Sequence, residues 1–250
     1  MDCVREGAKN VPTPTTAYGA PATKSTPLVS YGLIGLCVLV YLGQRTLPWL
    51  TGDLSFVGVL GGSQPWRFVT SAFVHSPTSF LHIFFNMYIL YAFGPAFEQV
   101  LGHLKFLAVY LICAIGGSLG VLLFASPDPG WYVHVVGASG AIFGLLMMYV
   151  VLVFRAGQSP NALLVMIGLN LALPFFVGGI AWQAHVGGAI TGLVIGGLLV
   201  LTSAKGRTPE AVRRRRLMWP GLAVLTVILV ALAAWRLVSV LGVAAFSIQF

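Results

Sequence analysis

The sequence predicts an all-α fold, a polytopic bundle of helices that cross a lipid bilayer. Of the 250 residues, 58% are hydrophobic and only 8% are charged, whereas soluble domains carry about 25% charged residues. The mean hydropathy is +0.91. The net charge of +8 comes from basic residues placed in short segments between apolar runs. This placement is typical of membrane topology signals and argues against nucleic acid as a partner.

Seven apolar runs approach the length of about 20 residues that a membrane helix needs. The predicted spans are 28–44, 80–99, 104–125, 134–154, 161–178, 182–203 and 217–238. Residues 1–27 are polar and rich in Pro and Thr, which predicts a disordered cytoplasmic tail. The first six spans form a core over residues 28–203, followed by a basic cytoplasmic linker, 204–216, and by a seventh helix with the C-terminus, 217–250.

The lysines and arginines orient these helices. If the N-terminus is cytoplasmic, eleven basic residues fall on the inner side: Arg5, Lys9, Lys24, Lys105, Arg155, Lys205, Arg207 and the four arginines at 213–216. The outer side then holds only Arg45 and Arg67, with Arg236 near the outer end of the last span. This bias predicts a cytoplasmic N-terminus and an outer C-terminus.

The same topology brings polar residues of three helices to one depth. Spans two, four and six all run from outside to inside, so their first residues share the outer leaflet. Those residues are His82, Asn86, Ser139 and His185.

Ser139 lies in the segment GASGAIFG, residues 137–144. Small residues allow membrane helices to approach closely, so the serine could serve packing alone. It could also be a nucleophile if a base reaches it. The segment is not the G-x-S-x-G nucleophile elbow, because Ala141 replaces the second glycine and no strand precedes the turn.

His185 is the predicted base. An ionisable residue inside a membrane span is costly and is by default a functional candidate, although a hydrogen-bonded structural histidine is the other interpretation. A stripe of small residues recurs every four positions along its helix, at Ala184, Gly188, Gly192 and Gly196. A matching small-residue surface on span four could bring Ser139 and His185 within hydrogen-bond distance.

His82 and Asn86 are four residues apart and therefore share one helix face. Both can donate hydrogen bonds to a developing oxyanion, but a polar pair that joins helices is the alternative. The outer side offers acidic residues only in loops, at Asp53 and Asp128. A Ser–His dyad is therefore favoured over a triad. The scattered cysteines support neither a disulfide framework nor a metal site, and no cofactor is expected.

These segments together resemble the rhomboid family of intramembrane serine proteases. GASG (137–140) and AHVGG (184–188) match its catalytic signatures, and HIFFN (82–86) matches its HxxxN element. WRFVTSAFVH (66–75) is similar to the Trp-Arg segment of its first outer loop, and Phe143 matches the aromatic residue near the catalytic histidine. The resemblance covers about residues 28–203, and the seventh helix gives the 6+1 arrangement of some relatives.

The resemblance implies that Ser139 attacks a peptide bond, that His185 is the general base, and that the reaction passes through an acyl-enzyme. His82, Asn86 and the Ser139 amide would hold the oxyanion, with Gly137, Phe143 and Gly188 in support. The implied substrates are single-pass transmembrane proteins cut near the outer surface. The implied location is the bacterial plasma membrane, with the active site facing the outer leaflet.

Two other functions stay open from the sequence. A catalytically inactive rhomboid-like adaptor would bind membrane clients, but it would be expected to lack the serine or the histidine. A transporter or channel would be expected to show internal repeats or broken helices at mid-membrane.

Overall fold

The computed structural model describes residues 15–20, 26–176, 178–206 and 208–247. Over these residues the fold is all-α, as predicted, and an isolated antiparallel β-bridge joins Phe56 to Val135. The helices are α1 (Leu28–Thr46), α2 (Trp49–Leu54), α3 (Arg67–Thr70), α4 (Phe80–Leu101), α5 (His103–Phe124), α6 (Ser139–Arg155), α7 (Asn161–Ala172), α8 (Trp182–Thr202), α9 (Pro209–Arg216) and α10 (Met218–Ser247).

Several of these helices are long and apolar enough to cross a bilayer, so the protein is an integral membrane protein. The long apolar segments are α1, α4, α5, α8 and Pro209–Gly242. Two shorter apolar helical segments, Ser139–Arg155 and Asn161–Phe175, lie between them in the chain. The count of seven spans stays a prediction.

The centre of the bundle is formed by α5, α6 and α8, which meet through glycines. A methyl group on Gly188 of α8 would lie 1.9 Å from the carbonyl oxygen of Gly140 in α6. A methyl group on Gly187, on the neighbouring face of α8, would lie 2.3 Å from the carbonyl oxygen of Gly116 in α5. Glycine is therefore needed for the backbones to pack this closely, as the small-residue stripe predicts.

Glu98 connects the start of α1 with the end of α4. Its carboxylate accepts hydrogen bonds from the backbone N–H of Val29 (2.9 Å) and of Ser30 (2.7 Å), and from the Ser30 hydroxyl (2.6 Å). It also pairs with His103, the first residue of α5. A single residue, Gly102, links α4 to α5 with a φ of +81°, a conformation that favours glycine.

The last helix, for which the sequence predicts a span ending at 238, extends to Ser247, and three other segments also differ from the sequence prediction. The fourth predicted span starts at 134, but α6 begins at Ser139 because the preceding residues are not helical and the backbones of Val135 and Gly137 bond to other loops. The fifth was predicted to reach 178, but α7 ends at Ala172 and continues as a 3₁₀ turn through Pro174, which lacks a backbone donor. The predicted linker contains α9, whose first turn is capped by the Thr208 hydroxyl accepting from the Ala211 N–H at 3.2 Å.

Part of the N-terminal tail has a defined place. The carbonyl of Ala17 accepts a hydrogen bond from the Ala204 N–H at 3.0 Å, and the Thr16 hydroxyl donates to the carbonyl of Val100 at 3.0 Å. These contacts order residues 15–20 against the ends of α4 and α8, whereas the sequence predicts disorder through residue 27. Residues 1–14 and 21–25 of the predicted tail lie outside the described residues.

Candidate active site

Ser139 and His185 meet at one end of the bundle. Ser139 is the first residue of α6, and His185 lies in the first turn of α8. The Ser139 Oγ and the His185 Nε2 are 2.9 Å apart, which is within the reach that proton transfer between a nucleophile and a base requires. The close α6–α8 contact described above lies next to this pair, because Gly140 directly follows Ser139 and Gly188 is three residues after His185.

The His185 ring is held by stacking. Its ring centroid lies 4.3 Å from that of Phe143, and the two planes are inclined by only 8°. Phe143 is one turn after Ser139 on α6, so the same helix presents the nucleophile and the surface on which the base rests. The His185 Nδ1 has no hydrogen-bond partner among the described residues. Among the described residues, the Ser139–His185 pair therefore has no carboxylate bonded to its imidazole.

His82 faces the same site from α4, and its tautomer follows from a backbone contact. The Ser76 N–H lies 3.2 Å from the His82 Nδ1. Because that nitrogen must accept, the proton of the neutral ring is on Nε2. The Nε2–H is thus a donor on the side of the ring that faces the Ser139 loop.

Gly137 keeps open the space between His82 and Ser139. A methyl group on Gly137 would lie 2.7 Å from the His82 Nε2 and 3.6 Å from the Ser139 Oγ. The φ of Gly137 is +124°, a value that residues other than glycine rarely adopt. Glycine is needed here twice, for its backbone conformation and for the open volume.

Asn86 is buried one turn below His82, with 6% of its surface exposed. Its Nδ2 donates to the His82 carbonyl at 2.7 Å. No contact among the described residues places this amide against Ser139. The structure therefore brings His82 to the candidate nucleophile more directly than it brings Asn86, although the sequence motif treats the two alike.

The extended segment before Ser139 is held by two loop contacts that the sequence does not reveal. Val135 and Phe56 exchange backbone hydrogen bonds of 2.8 and 2.9 Å, and the Gly137 N–H donates to the Ser71 carbonyl at 3.0 Å. Backbone polar groups at membrane depth must find such partners inside the protein. A strand-like pairing between two loops gives no periodic signal, so only the non-helical nature of the segment could be anticipated.

A small polar cavity lies behind the same segment. Its volume is about 20 Å³, and its lining includes Ser71, Ser118, Gly137 and Gly140. The Ser118 hydroxyl donates to the Phe68 carbonyl at 3.1 Å and lies 3.4 Å from the Ser71 hydroxyl. A polar space of this size can hold about one water molecule.

The remaining histidines have other neighbours. The His134 Nδ1 lies 2.6 Å from the Ser55 hydroxyl in the loop after α2. His103 pairs with Glu98 at the opposite end of the bundle. His75 is fully buried, and its ring centroid lies 5.3 Å from that of His82. Burial, with a smaller contribution from His82, lowers the pKa of His75 to about 3.

Comparisons with known proteins agree with the resemblance seen in the motifs. The sequence model of the Rhomboid domain matches residues 62–202. The rhomboid protein YdcA of Bacillus subtilis is 35% identical over 149 residues, which are 58% of this chain and 71% of the relative. RHOMBOID-like protein 6, mitochondrial, of Arabidopsis thaliana is 30% identical over 205 residues, 74% of this chain and 64% of the relative. Rhomboid protease GluP of Bacillus subtilis is 35% identical over 145 residues, which are 56% of this chain but only 27% of GluP.

Proposed function

The chain belongs to the rhomboid family, and we propose on this premise that it is an intramembrane serine endopeptidase that cuts transmembrane proteins. The observation that carries the proposal is the 2.9 Å separation between the Ser139 Oγ and the His185 Nε2. Relatives named rhomboid protease or rhomboid-type serine protease support the same reaction class.

In the proposed reaction, His185 accepts the proton of the Ser139 hydroxyl as the oxygen attacks the carbonyl carbon of a peptide bond. The tetrahedral intermediate collapses when His185 gives this proton to the leaving amine, which leaves an acyl-enzyme on Ser139. Water then gives a proton to His185 as it attacks the ester, and His185 returns this proton to the Ser139 oxygen as the second product leaves. The absence of a partner at His185 Nδ1 among the described residues supports a dyad, in which stacking on Phe143 takes over the orientation of the base.

The oxyanion would form in the space that Gly137 leaves open. The His82 Nε2–H and the Ser139 N–H can both donate there, and the positive end of the α6 dipole adds to the stabilisation. Asn86 contributes in this proposal through its second amide hydrogen or by fixing the His82 backbone.

The proposed topology places this site toward the outer leaflet of a bacterial plasma membrane. The N-terminus is then cytoplasmic, and the basic linker with α9 lies at the inner surface. Single-pass transmembrane proteins are the proposed substrates, cut near the outer surface. The distribution of lysine and arginine supports this orientation.

An inactive adaptor is the alternative, and one labelling experiment separates the two. We expect a fluorophosphonate to modify the purified protein, with the adduct located on Ser139 by mass spectrometry. Ser139→Ala should lose the adduct and the cleavage of a transmembrane substrate, and His185→Ala should lose both to a similar extent, because the two residues act as a unit. Wild-type cleavage by Ser139→Ala would show the dyad assignment to be wrong.

A further inference from the structure

Arg236 is an arginine inside the last apolar helix, α10, and the Rhomboid domain match ends at residue 202, before this helix begins. An arginine at such a position is costly unless it is partnered. Its neighbours Ala233 and Leu237 are 6% and 9% exposed, so this face of α10 packs on the core. The partners of Arg236 are therefore in the core.

The first partner is the end of α5. The Arg236 Nε–H donates to the carbonyl of Leu122 at 3.1 Å. Leu122 lies in the last turn of α5, where carbonyls lack partners within the helix. A cation at this position also interacts favourably with the negative end of the helix dipole.

The second partner is Trp131, in the loop that leads from α5 to Ser139. The guanidinium carbon of Arg236 lies 5.5 Å from the centroid of the indole ring, within the range of a cation–π interaction. Trp131 is fully buried. A methyl group on Gly58 would lie 2.7 Å from the Trp131 Cγ, so this ring is also packed tightly against the first outer loop.

Trp131 thus contacts both α10 and the loop that contains Gly58, and it precedes the candidate site in the chain. Two residues before Gly58, Phe56 pairs with Val135 through backbone hydrogen bonds. Val135 is two residues before Gly137, whose open space separates His82 from Ser139. A displacement of the Trp131 ring would act on this short extended segment, which no regular secondary structure supports.

We propose that Arg236 is a positioning residue, which fixes Trp131 from α10 and so holds the segment 130–137 in the geometry that Ser139 requires. Helix α10 then contributes to the active site without touching substrate. This inference rests on the proposed function only for its effect on Ser139 reactivity, since the effect on the segment itself can be measured separately.

The test compares Arg236→Met and Arg236→Lys with Arg216→Met. Arg216 is an exposed arginine at the end of α9, so its substitution removes the same charge far from Trp131. Two quantities are measured well below the melting temperature of every variant: amide hydrogen exchange in the peptide 126–138, and the rate at which a fluorophosphonate labels Ser139.

In Arg236→Met we expect exchange at residues 133–137 to accelerate by about tenfold or more, because the segment opens more often. Labelling should slow by on the order of tenfold, since reactivity is sensitive to displacements of about 1 Å. Arg236→Lys retains a cation that can donate to Leu122, so its exchange and labelling rates should stay close to those of the wild type. Arg216→Met should match the wild type.

A double substitution tests the route through Trp131. If Arg236 acts on the segment through this ring, Arg236→Met combined with Trp131→Leu should label no more slowly than the slower single variant. Strictly additive losses, or wild-type exchange in Arg236→Met, would overturn the proposal. Failure of the wild-type protein to label at Ser139 would count against the proposed protease function, while the exchange measurement would still decide the positioning role.

Discussion

At the scale of single residues, the proposed chemistry depends on two imidazole rings that are held in different ways. His185 rests on Phe143 with nearly parallel planes, and His82 is fixed by the Ser76 N–H at its Nδ1. Stacking leaves the His185 Nε2 free to accept a proton, whereas the backbone contact makes the His82 Nε2 a donor. In the proposed reaction, the two histidines of this site therefore have opposite roles, His185 as the base and His82 as an oxyanion donor.

The first residue-scale prediction separates His82 from Asn86. Loss of one oxyanion donor costs about 2.7–4 kcal/mol in other serine proteases, so His82→Ala should lower kcat by about 100-fold or more with little change in KM. Asn86→Ala should lower kcat less, because the Asn86 Nδ2 already donates to the His82 carbonyl. Steady-state kinetics on a transmembrane substrate measure both variants. A change limited to KM in both would instead assign the pair to substrate binding.

The second residue-scale prediction concerns acid stability. Burial lowers the pKa of His75 to about 3, whereas an unfolded histidine titrates near 6.5. Between these values the unfolded chain binds a proton that the folded chain does not, so stability falls as the pH drops below about 6.5. His75→Phe keeps a ring and removes this titration. Its melting temperature in detergent should fall less than that of the wild type between pH 7.5 and pH 4.5, and parallel curves would contradict the prediction.

At the scale of helices, the helices that carry Ser139 and His185 pack backbone against backbone. Gly188 and Gly192 of α8 face the carbonyls of Gly140 and Gly144 in α6, at separations that leave no room for a methyl group. Because Gly140 directly follows Ser139, any substitution that separates the helices here also moves the nucleophile away from His185.

The prediction at this scale compares two glycines of α8. In Gly188→Ala the new methyl group would lie 1.9 Å from the Gly140 carbonyl oxygen, so the helices must separate, and a shift of ~1 Å can cost about 100-fold in rate. Gly197→Ala is the matched control, because a methyl group there meets nothing within 4 Å. Initial cleavage rates and melting temperatures should show a loss only for Gly188→Ala. Equal, near-wild-type rates in both variants would show that close helix contact does not set the dyad.

At the scale of the whole molecule, the sequence predicts those features that depend on composition and on the spacing of residues along helices. The all-α membrane fold, the glycine contact of α6 with α8 and the convergence of Ser139 with His185 all follow from such patterns. The predicted start of the fourth span lies five residues before α6, because this largely apolar segment is not helical and Val135 and Gly137 bond to Phe56 and Ser71 instead. The His82 tautomer and the contact of Arg236 with Trp131 depend on loop positions, which carry no periodic signal.

The last prediction concerns how many times the chain crosses the membrane. The apolar runs predict seven spans, and the bias of basic residues predicts that α10 runs from the inner to the outer side. In a bacterial host, green fluorescent protein fused after Gly206 should fluoresce, because the predicted orientation puts the α8–α9 connection in the cytoplasm, and alkaline phosphatase fused there should be inactive. The same reporters fused at the C-terminus should give the opposite result. If both positions reported the cytoplasm, α10 would not cross the bilayer. The predicted outer location of its C-terminal end and of Arg236 would then be wrong.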